Sequence, residues 1–198
     1  MKKLLIALAT GFIGFTNLNA QEKEAIGGFE KEDFFITGRL SYSNSSISDS
    51  DVSSNTFTFA PAAGYFITEN LALQLGLSYN SSNVDNGVTQ ADASTFGVGA
   101  GVNYFFTPAN RFSFTVGGSI FYNNTSVDDN ITPDTNAFGV VVTPGINYFI
   151  SNSFALNATV GALGFNSSSP DVDNARSTNT FVFNMDLTTV AFGLTYKF

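Results

Sequence analysis

The chain has 198 residues, a length that suits one domain, and its 16 acidic and 8 basic side chains give a formal net charge of −8. This balance excludes a nucleic-acid partner, because phosphate binding needs clustered lysine and arginine. The chain contains neither cysteine nor histidine. Disulfides, thiolate or histidine metal sites and histidine-based catalysis are therefore excluded, and no cofactor is expected.

The first residues have the features of a secretory signal peptide. Lys2 and Lys3 form a positive start, residues 4–15 are apolar, and Leu18-Asn19-Ala20 resembles a cleavage site. The apolar stretch is too short to span a bilayer as a helix. We expect three parts: a signal peptide that is removed (1–20), an acidic leader (21–33) and one folded domain (34–198).

The folded domain alternates between aromatic-rich and polar segments. Short connections between alternating apolar runs predict tight hairpin turns, at residues 67–70, 107–111 and 151–152. Longer connections rich in Ser, Asn and Asp predict polar loops, at approximately residues 44–55, 80–93, 123–136 and 166–179. This spacing predicts eight strands in up-and-down order, with short turns at one end and long loops at the other.

A short motif recurs before each predicted turn, at residues 64–67, 103–106 and 147–150. Pro61 and Pro144 both lie four residues before the tyrosine of the motif, so a duplication of a four-strand half is plausible. Proline has no N–H to donate to a strand ladder. We therefore expect a bulge or a missing bond at each proline. The apolar alternation also changes parity in the last strand. This change predicts either a bulge at Thr188-Thr189 or an upper half of the strand that stands above the membrane.

The two faces of the predicted strands differ in composition. One face is apolar and carries no charged residue, whereas the other is mostly Gly, Ala, Ser, Thr and Asn. A water-facing surface would carry many more charges than this second face does. Small polar residues instead suit the interior of an eight-stranded barrel. The apolar face is therefore predicted to meet lipid, and it includes Phe57, Leu73, Val140 and Phe192.

Tyrosines are predicted to form an aromatic girdle at each membrane boundary. Those near the turns are Tyr65, Tyr104, Tyr148 and Tyr196, and those near the loops are Tyr42, Tyr79 and Tyr122. Closing the sheet pairs the backbone amides within lipid, which an open sheet does not. The predicted fold is all-β, an eight-stranded antiparallel up-and-down transmembrane β-barrel.

The chain from about residue 34 to 198 resembles the small outer-membrane β-barrel family that includes the OmpA barrel domain and OmpX. The resemblance depends on the signal peptide and on the final strand, Phe192-Gly193-Leu194-Thr195-Tyr196-Lys197-Phe198. It implies that the barrel assembly machinery recognises Phe192, Leu194, Tyr196 and Phe198 during biogenesis.

The same resemblance implies the surroundings of the protein. It indicates the outer membrane of a Gram-negative bacterium, with lipid around the barrel, the leader in the periplasm and the loops outside the cell. The chain stops at Phe198, without the peptidoglycan-binding domain of full-length OmpA-type proteins, so cell-wall anchoring is not implied. A monomer is expected.

Six polar side chains are predicted to point into the lumen: Arg39, Gln74, Asn103, Asn147, Asn157 and Lys197. They either line a path for a small solute or hydrogen-bond to one another and plug the barrel. We favour the plug, because the interior of an eight-stranded barrel is usually filled. A lumen cation needs a counter-charge, and Asp186 is a candidate partner for Arg39 if a bulge turns it inward.

The leading functional hypothesis is a non-enzymatic structural or surface-interaction barrel, with an unidentified extracellular partner at its loops. A narrow passive, porin-like channel is the alternative, and a soluble lipocalin-like binder is a third. Outer-membrane barrel enzymes of the resembled kind generally use histidine, which this chain lacks. The acidic loop residues are expected to be solvated rather than to bind Ca²⁺, because no stretch has the EF-hand spacing.

Overall fold

The computed structural model describes residues 27–46, 52–86, 90–128, 131–184 and 190–198. Every regular element in these residues is a β-strand. The predicted signal peptide, the first part of the leader and the predicted bulge at Thr188-Thr189 lie outside the described residues. Within the described ranges, none of the chain forms a helix long and apolar enough to cross a membrane.

The strands follow one another in antiparallel order. They are β1 (Phe34–Ser46), β2 (Val52–Phe66), β3 (Leu71–Asn86), β4 (Gln90–Phe105), β5 (Phe112–Val127), β6 (Thr135–Phe149), β7 (Phe154–Thr159), β8 (Ala162–Pro170), β9 (Thr178–Asn184) and β10 (Ala191–Lys197). Each of β1 to β5 pairs with the next strand. Next, β6 pairs with both β7 and β8, so these two segments form the seventh barrel strand. Likewise β9 pairs with β8 and β10 with β7, and together they form the eighth.

The barrel closes between its first and last strands. β1 and β10 pair from Phe35↔Lys197 to Gly38↔Leu194. The amide of Phe198 donates to the carbonyl of Phe34 at 3.1 Å, and the two rings lie 5.3 Å apart. The predicted eight-stranded antiparallel barrel is therefore confirmed.

Both prolines disturb the ladder as predicted. Near Pro61, the pairing of β2 with β3 stops at Phe59 and resumes at Ala62 in the same register. Opposite Pro144, residues 143–144 of β6 face residues 160–162, which is a bulge of one residue. Gly161 within it has φ +66°, a conformation that glycine adopts without steric strain.

The apolar face of the strands points away from the barrel centre, as predicted. Phe57, Leu73, Val140 and Phe192 are 39%, 46%, 45% and 71% exposed. Their neighbours of opposite parity turn into the barrel, so most of the large apolar side chains of the strands form its outer surface. An apolar outer belt of this kind is stable when lipid covers it.

The predicted loops are wrong over much of their length, because the strands continue into them. β1 extends to Ser46 and β2 starts at Val52, while β3 and β4 are separated by residues 87–89 alone. Hydrogen bonds between polar side chains support these extensions: Asn80 donates to the Thr58 hydroxyl at 2.8 Å. Asn and Ser disfavour strands in general, but cross-strand pairing overrides that preference once a ladder is in register.

Candidate functional site

The wall of the lumen is built from pairs of a glycine and a polar side chain on the next strand. The amide of Asn103 lies over Gly117, and that of Asn157 lies over Gly193, at positions that a Cβ would occupy. In the same way, the ring of Phe121 lies over Gly139. The glycines therefore let neighbouring side chains lie flat against the wall, which leaves space along the barrel axis.

Two hydrogen-bonded groups hold the wall in place. Asn103 donates to the side-chain oxygen of Gln74 at 2.5 Å. Asn157 donates to the hydroxyls of Thr37 and Thr195 at 3.1 and 2.9 Å, and Thr195 in turn donates to Thr37 at 3.0 Å. In the described residues, every buried side-chain nitrogen and oxygen has a partner. The buried polar atoms of the wall therefore have partners within the protein.

A cavity of about 310 Å³ lies inside this wall. Five of the six side chains predicted to face the lumen line it: Arg39, Gln74, Asn103, Asn147 and Asn157. They border the cavity rather than fill it, so the predicted polar plug is not the arrangement in the structure. The reason is the glycine-rich wall, which lets the amides lie along the circumference.

Five phenylalanines close the turn end of the lumen, and we call them the phenylalanine floor. Phe29 is at the centre, and its ring centroid lies 5.2 Å from Phe35, 4.7 Å from Phe66, 5.4 Å from Phe105 and 4.9 Å from Phe149. These distances are typical of favourable aromatic contacts. The five side chains are between 0% and 6% exposed, so they form a buried aromatic cluster at this end of the barrel.

The central ring of the floor comes from the leader, not from a barrel strand. Residues 27–33 enter the barrel mouth, where the amide of Phe29 donates to the carbonyl of Pro108 at 2.8 Å. The amide of Gly27 donates to the side chain of Asn152 at 3.1 Å. The segment is thereby attached to two turns, the one between β4 and β5 and the one between β6 and β7.

Lys197 lies at the turn end and does not line the cavity. Its ammonium donates to the carbonyl of Gly28 at 2.7 Å and lies 3.4 Å from a carboxylate oxygen of Asp33. It is also 6.0 Å from the ring centre of Phe149. Lys197 therefore joins the last strand to the leader segment that carries Phe29.

The loop end contains the same hydrogen-bonding pattern twice. Tyr122 and Asn124 both donate to the side-chain oxygen of Asn136, at 2.7 and 2.9 Å. In the first hairpin, Tyr42 and Asn44 make the equivalent bonds to Asn55, at 3.2 and 2.5 Å. This repetition between β1–β2 and β5–β6 agrees with the duplication that the prolines indicate.

The predicted girdle and assembly residues lie on the outside of the barrel. All seven girdle tyrosines are between 38% and 70% exposed: Tyr42, Tyr65, Tyr79, Tyr104, Tyr122, Tyr148 and Tyr196. The guanidinium of Arg111 lies 4.7 Å from the ring centre of Tyr148. Phe192 and Phe198 are also exposed, and Leu194 is half-buried. The structure places these side chains on the outer surface of the barrel.

The loop acids that the structure describes form no metal site. Among the described residues, no group of three or more Asp or Glu is placed to hold a metal ion. Asp186, the predicted partner of Arg39, lies outside those residues. The described ion pairs are Lys31–Glu32 and Lys197–Asp33, both at the turn end.

A family model described as "Outer membrane protein beta-barrel domain" matches residues 6–198. The chain belongs to this family. The solved structure of the outer membrane protein OprG from Pseudomonas aeruginosa is similar, at 15% identity and a TM-score of 0.54, over 87% of this chain and 99% of that chain. Neisserial surface protein A is similar at 20% identity and a TM-score of 0.52, over 83% and 97%. No curated protein matches the chain.

Membership of this outer-membrane family settles what covers the apolar face. Lipid contacts the outward side chains, and the soluble lipocalin-like alternative is excluded. The two structural likenesses show the fold alone, because identity is low. The features that bear on the role of this barrel are therefore its own lumen and loop end.

Sequence reasoning missed the phenylalanine floor, although a signal for it was present. Phe35, Phe66, Phe105 and Phe149 each follow an outward aromatic residue directly in the chain. Since successive side chains on a strand point to opposite faces, an aromatic pair places one ring outside and the next inside. Phe29 gives no comparable signal, because it lies outside any alternating run.

Proposed function

We propose that the protein is a non-enzymatic outer-membrane barrel with a structural or surface-interaction role, which acts through the hairpins at its loop end. The observation that carries this proposal is the phenylalanine floor. It fills the turn end of the lumen with side chains that are almost fully buried. A barrel closed at its turn end does not need to pass solutes. In this proposal its loop end faces the outside and makes the contacts.

The attachments of the floor support a permanent closure over a transient one. Phe29 contacts rings from three other strands and the start of β1. Its backbone is bonded to the turn that contains Pro108, and Lys197 holds the neighbouring Gly28. Opening the floor would break these contacts together.

The chemistry of the lumen supports a non-enzymatic role. The residues that line the cavity in the described chain include no Asp and no Glu, and the sequence has no His or Cys. General acid–base and nucleophilic catalysis usually depend on such side chains. Arg39 and the amides of the wall are suited to binding rather than to proton transfer.

The loop end is suited to contact with other molecules. Its hairpins continue as paired strands beyond the apolar belt and carry Ser, Thr and Asn on both faces. Paired strands hold such side chains in fixed positions, whereas a flexible loop would not. The acidic character of the chain favours a partner with exposed basic or polar groups.

Planar-bilayer recording tests the closed lumen. The refolded wild-type protein should give no discrete openings, whereas Phe29→Gly should give small, brief ones because the central ring of the floor is removed. Phe106→Gly is the matched control, since Phe106 lies at the same end and is 55% exposed. Heat-modifiable migration in detergent gels checks that each variant is folded. Reproducible openings of the wild type would favour the narrow passive channel instead.

Single-cysteine labelling tests which end faces the outside, because the chain has no native cysteine. Val172→Cys places a thiol in the exposed connection between β8 and β9, and Ala109→Cys places one at a turn. A membrane-impermeant maleimide applied to intact cells should label the first variant and spare the second. The reverse pattern would contradict the proposed orientation.

A further inference from the structure

The cavity above the phenylalanine floor has one ionised side chain in its described lining, Arg39. The two ion pairs of the described residues involve other cations. Arg39 is also exposed, so water in the lumen reaches it. A guanidinium in this setting attracts an anion, and its planar fork matches the two oxygens of a carboxylate.

The position of Arg39 on the wall is constrained. A Cβ added to Gly193 on β10 would lie 3.0 Å from Cγ of Arg39, which shows that the arginine stem packs against this glycine. The neighbouring amide of Asn157 lies over the same glycine. The aliphatic stem of Arg39 is therefore held where β1 and β10 close the barrel. The Arg39 side chain as a whole borders the cavity.

The bottom of the cavity is apolar, and its sides carry amide side chains. Phe29, Phe35 and Phe105 line it from the floor, while Gln74 and Asn147 line it from the wall. A volume of about 310 Å³ is at the lower end of the range for small-molecule sites, which combine an apolar surface with a few placed polar groups.

We propose that this cavity is a blind binding site for a small organic monoanion, which enters from the loop end. The carboxylate of the ligand pairs with Arg39, and its apolar body rests on the floor phenylalanines. One cation in the described lining favours one negative charge, and the aromatic floor favours a ring or branched chain over acetate. This site goes beyond the surface role, because it gives the closed lumen a ligand.

Arginine side-chain NMR tests the proposal in the refolded protein in detergent. The chain has three arginines, Arg39, Arg111 and Arg176, so ¹⁵N-arginine labelling gives three Nε–H signals that variants can assign. Titration with sodium benzoate should move the Arg39 signal saturably, with a Kd on the order of 1 mM. The neutral benzamide should not move it, and acetate should bind at least several-fold more weakly.

Two charge-matched variants complete the test. Arg39→Gln should weaken benzoate binding about tenfold or more, because a charge-assisted pair is lost. Arg176→Gln, in the exposed connection between β8 and β9, should leave it unchanged. The proposal is overturned if the Arg39 signal stays fixed at about twenty times the expected Kd of ~1 mM. It is equally overturned if all three arginine signals move together, or if acetate binds as tightly as benzoate.

Discussion

The turn end and the middle of the lumen have the same strand alternation, but the turn end is filled and the middle is open. At the turn end, the inward positions hold phenylalanines, and Phe66 and Phe149 are completely buried. Halfway up the same strands, the inward positions hold glycines and amides, and a cavity of about 310 Å³ remains. Parity thus decides which face a side chain takes, whereas side-chain volume decides whether the lumen is filled.

The two regions of the lumen are also stabilised by different interactions. The turn end contains a ring-packed core that resembles the interior of a soluble domain, where contacts are close and costly to remove. The middle of the lumen depends on glycine and on hydrogen bonds along the wall. Substitutions at the turn end, in the middle of the lumen and at the loop end compare these regions, from the largest expected effect to the smallest.

Phe66→Ala should destabilise the protein by about 3–5 kcal/mol, because it leaves a cavity in the phenylalanine floor. Phe96→Ala, on the lipid face where Phe96 is 53% exposed, should cost less than half as much. Urea unfolding in lipid vesicles measures both free energies. Equal losses would show that the floor is no more tightly packed than the lipid boundary.

Gly101→Ala should cost about 1–3 kcal/mol, because its Cβ would lie 2.6 Å from the carbonyl oxygen of Gly118. Gly38→Ala is the matched control, since a Cβ there meets nothing within 4 Å. Its effect should stay within about 0.5 kcal/mol. The same unfolding assay applies, and a harmless Gly101→Ala would mean that the wall can move apart to admit a methyl group.

Lys197→Gln should loosen the leader segment without unfolding the barrel. The side chains of Lys197 and Asp33 are 22% and 21% exposed, so loss of the pair and of the bond to Gly28 is expected to cost about 1 kcal/mol. Hydrogen exchange at the Phe29 amide should then become about fivefold to tenfold faster. Lys31→Gln, in an exposed pair, should not change this rate. An unchanged Phe29 rate in Lys197→Gln would show that the floor alone holds the segment.

Asn136→Ala should have the smallest effect, about 0.5–1 kcal/mol, because Tyr122 and Asn124 lose a shared acceptor that water replaces in part. Asn55→Ala should have the same effect in the first hairpin. Unfolding midpoints of the two variants provide the comparison. A large difference between them would contradict the structural equivalence of the two hairpins.

Much of the fold could be predicted because its causes repeat in every strand. The outward direction of Phe57 and Val140 follows from an alternation of period two and from the absence of charge on the apolar face. The prolines could be interpreted for a similar reason, since a missing N–H disturbs any ladder. Pro144 indeed lies opposite a bulge.

The extent of the strands could not be predicted in the same way. Residues 80–86 have a composition that usually indicates a loop, yet they continue β3. The bond between Asn80 and Thr58 joins residues 22 positions apart, and its partner is known only when two strands are in register. Local composition therefore underestimates strands that a neighbour already holds in place.

By itself, the sequence determined the all-β class, the order of the strands, the lipid-facing side and the positions of the turns, because each depends on neighbours along the chain. Only the tertiary structure decided how the lumen is occupied. Phe29 meets Phe149 across 120 positions of the chain, and Arg39 meets Gly193 across the closing strands. Such contacts depend on barrel closure and on side-chain volume in three dimensions. An alternation of period two along one strand specifies neither of these.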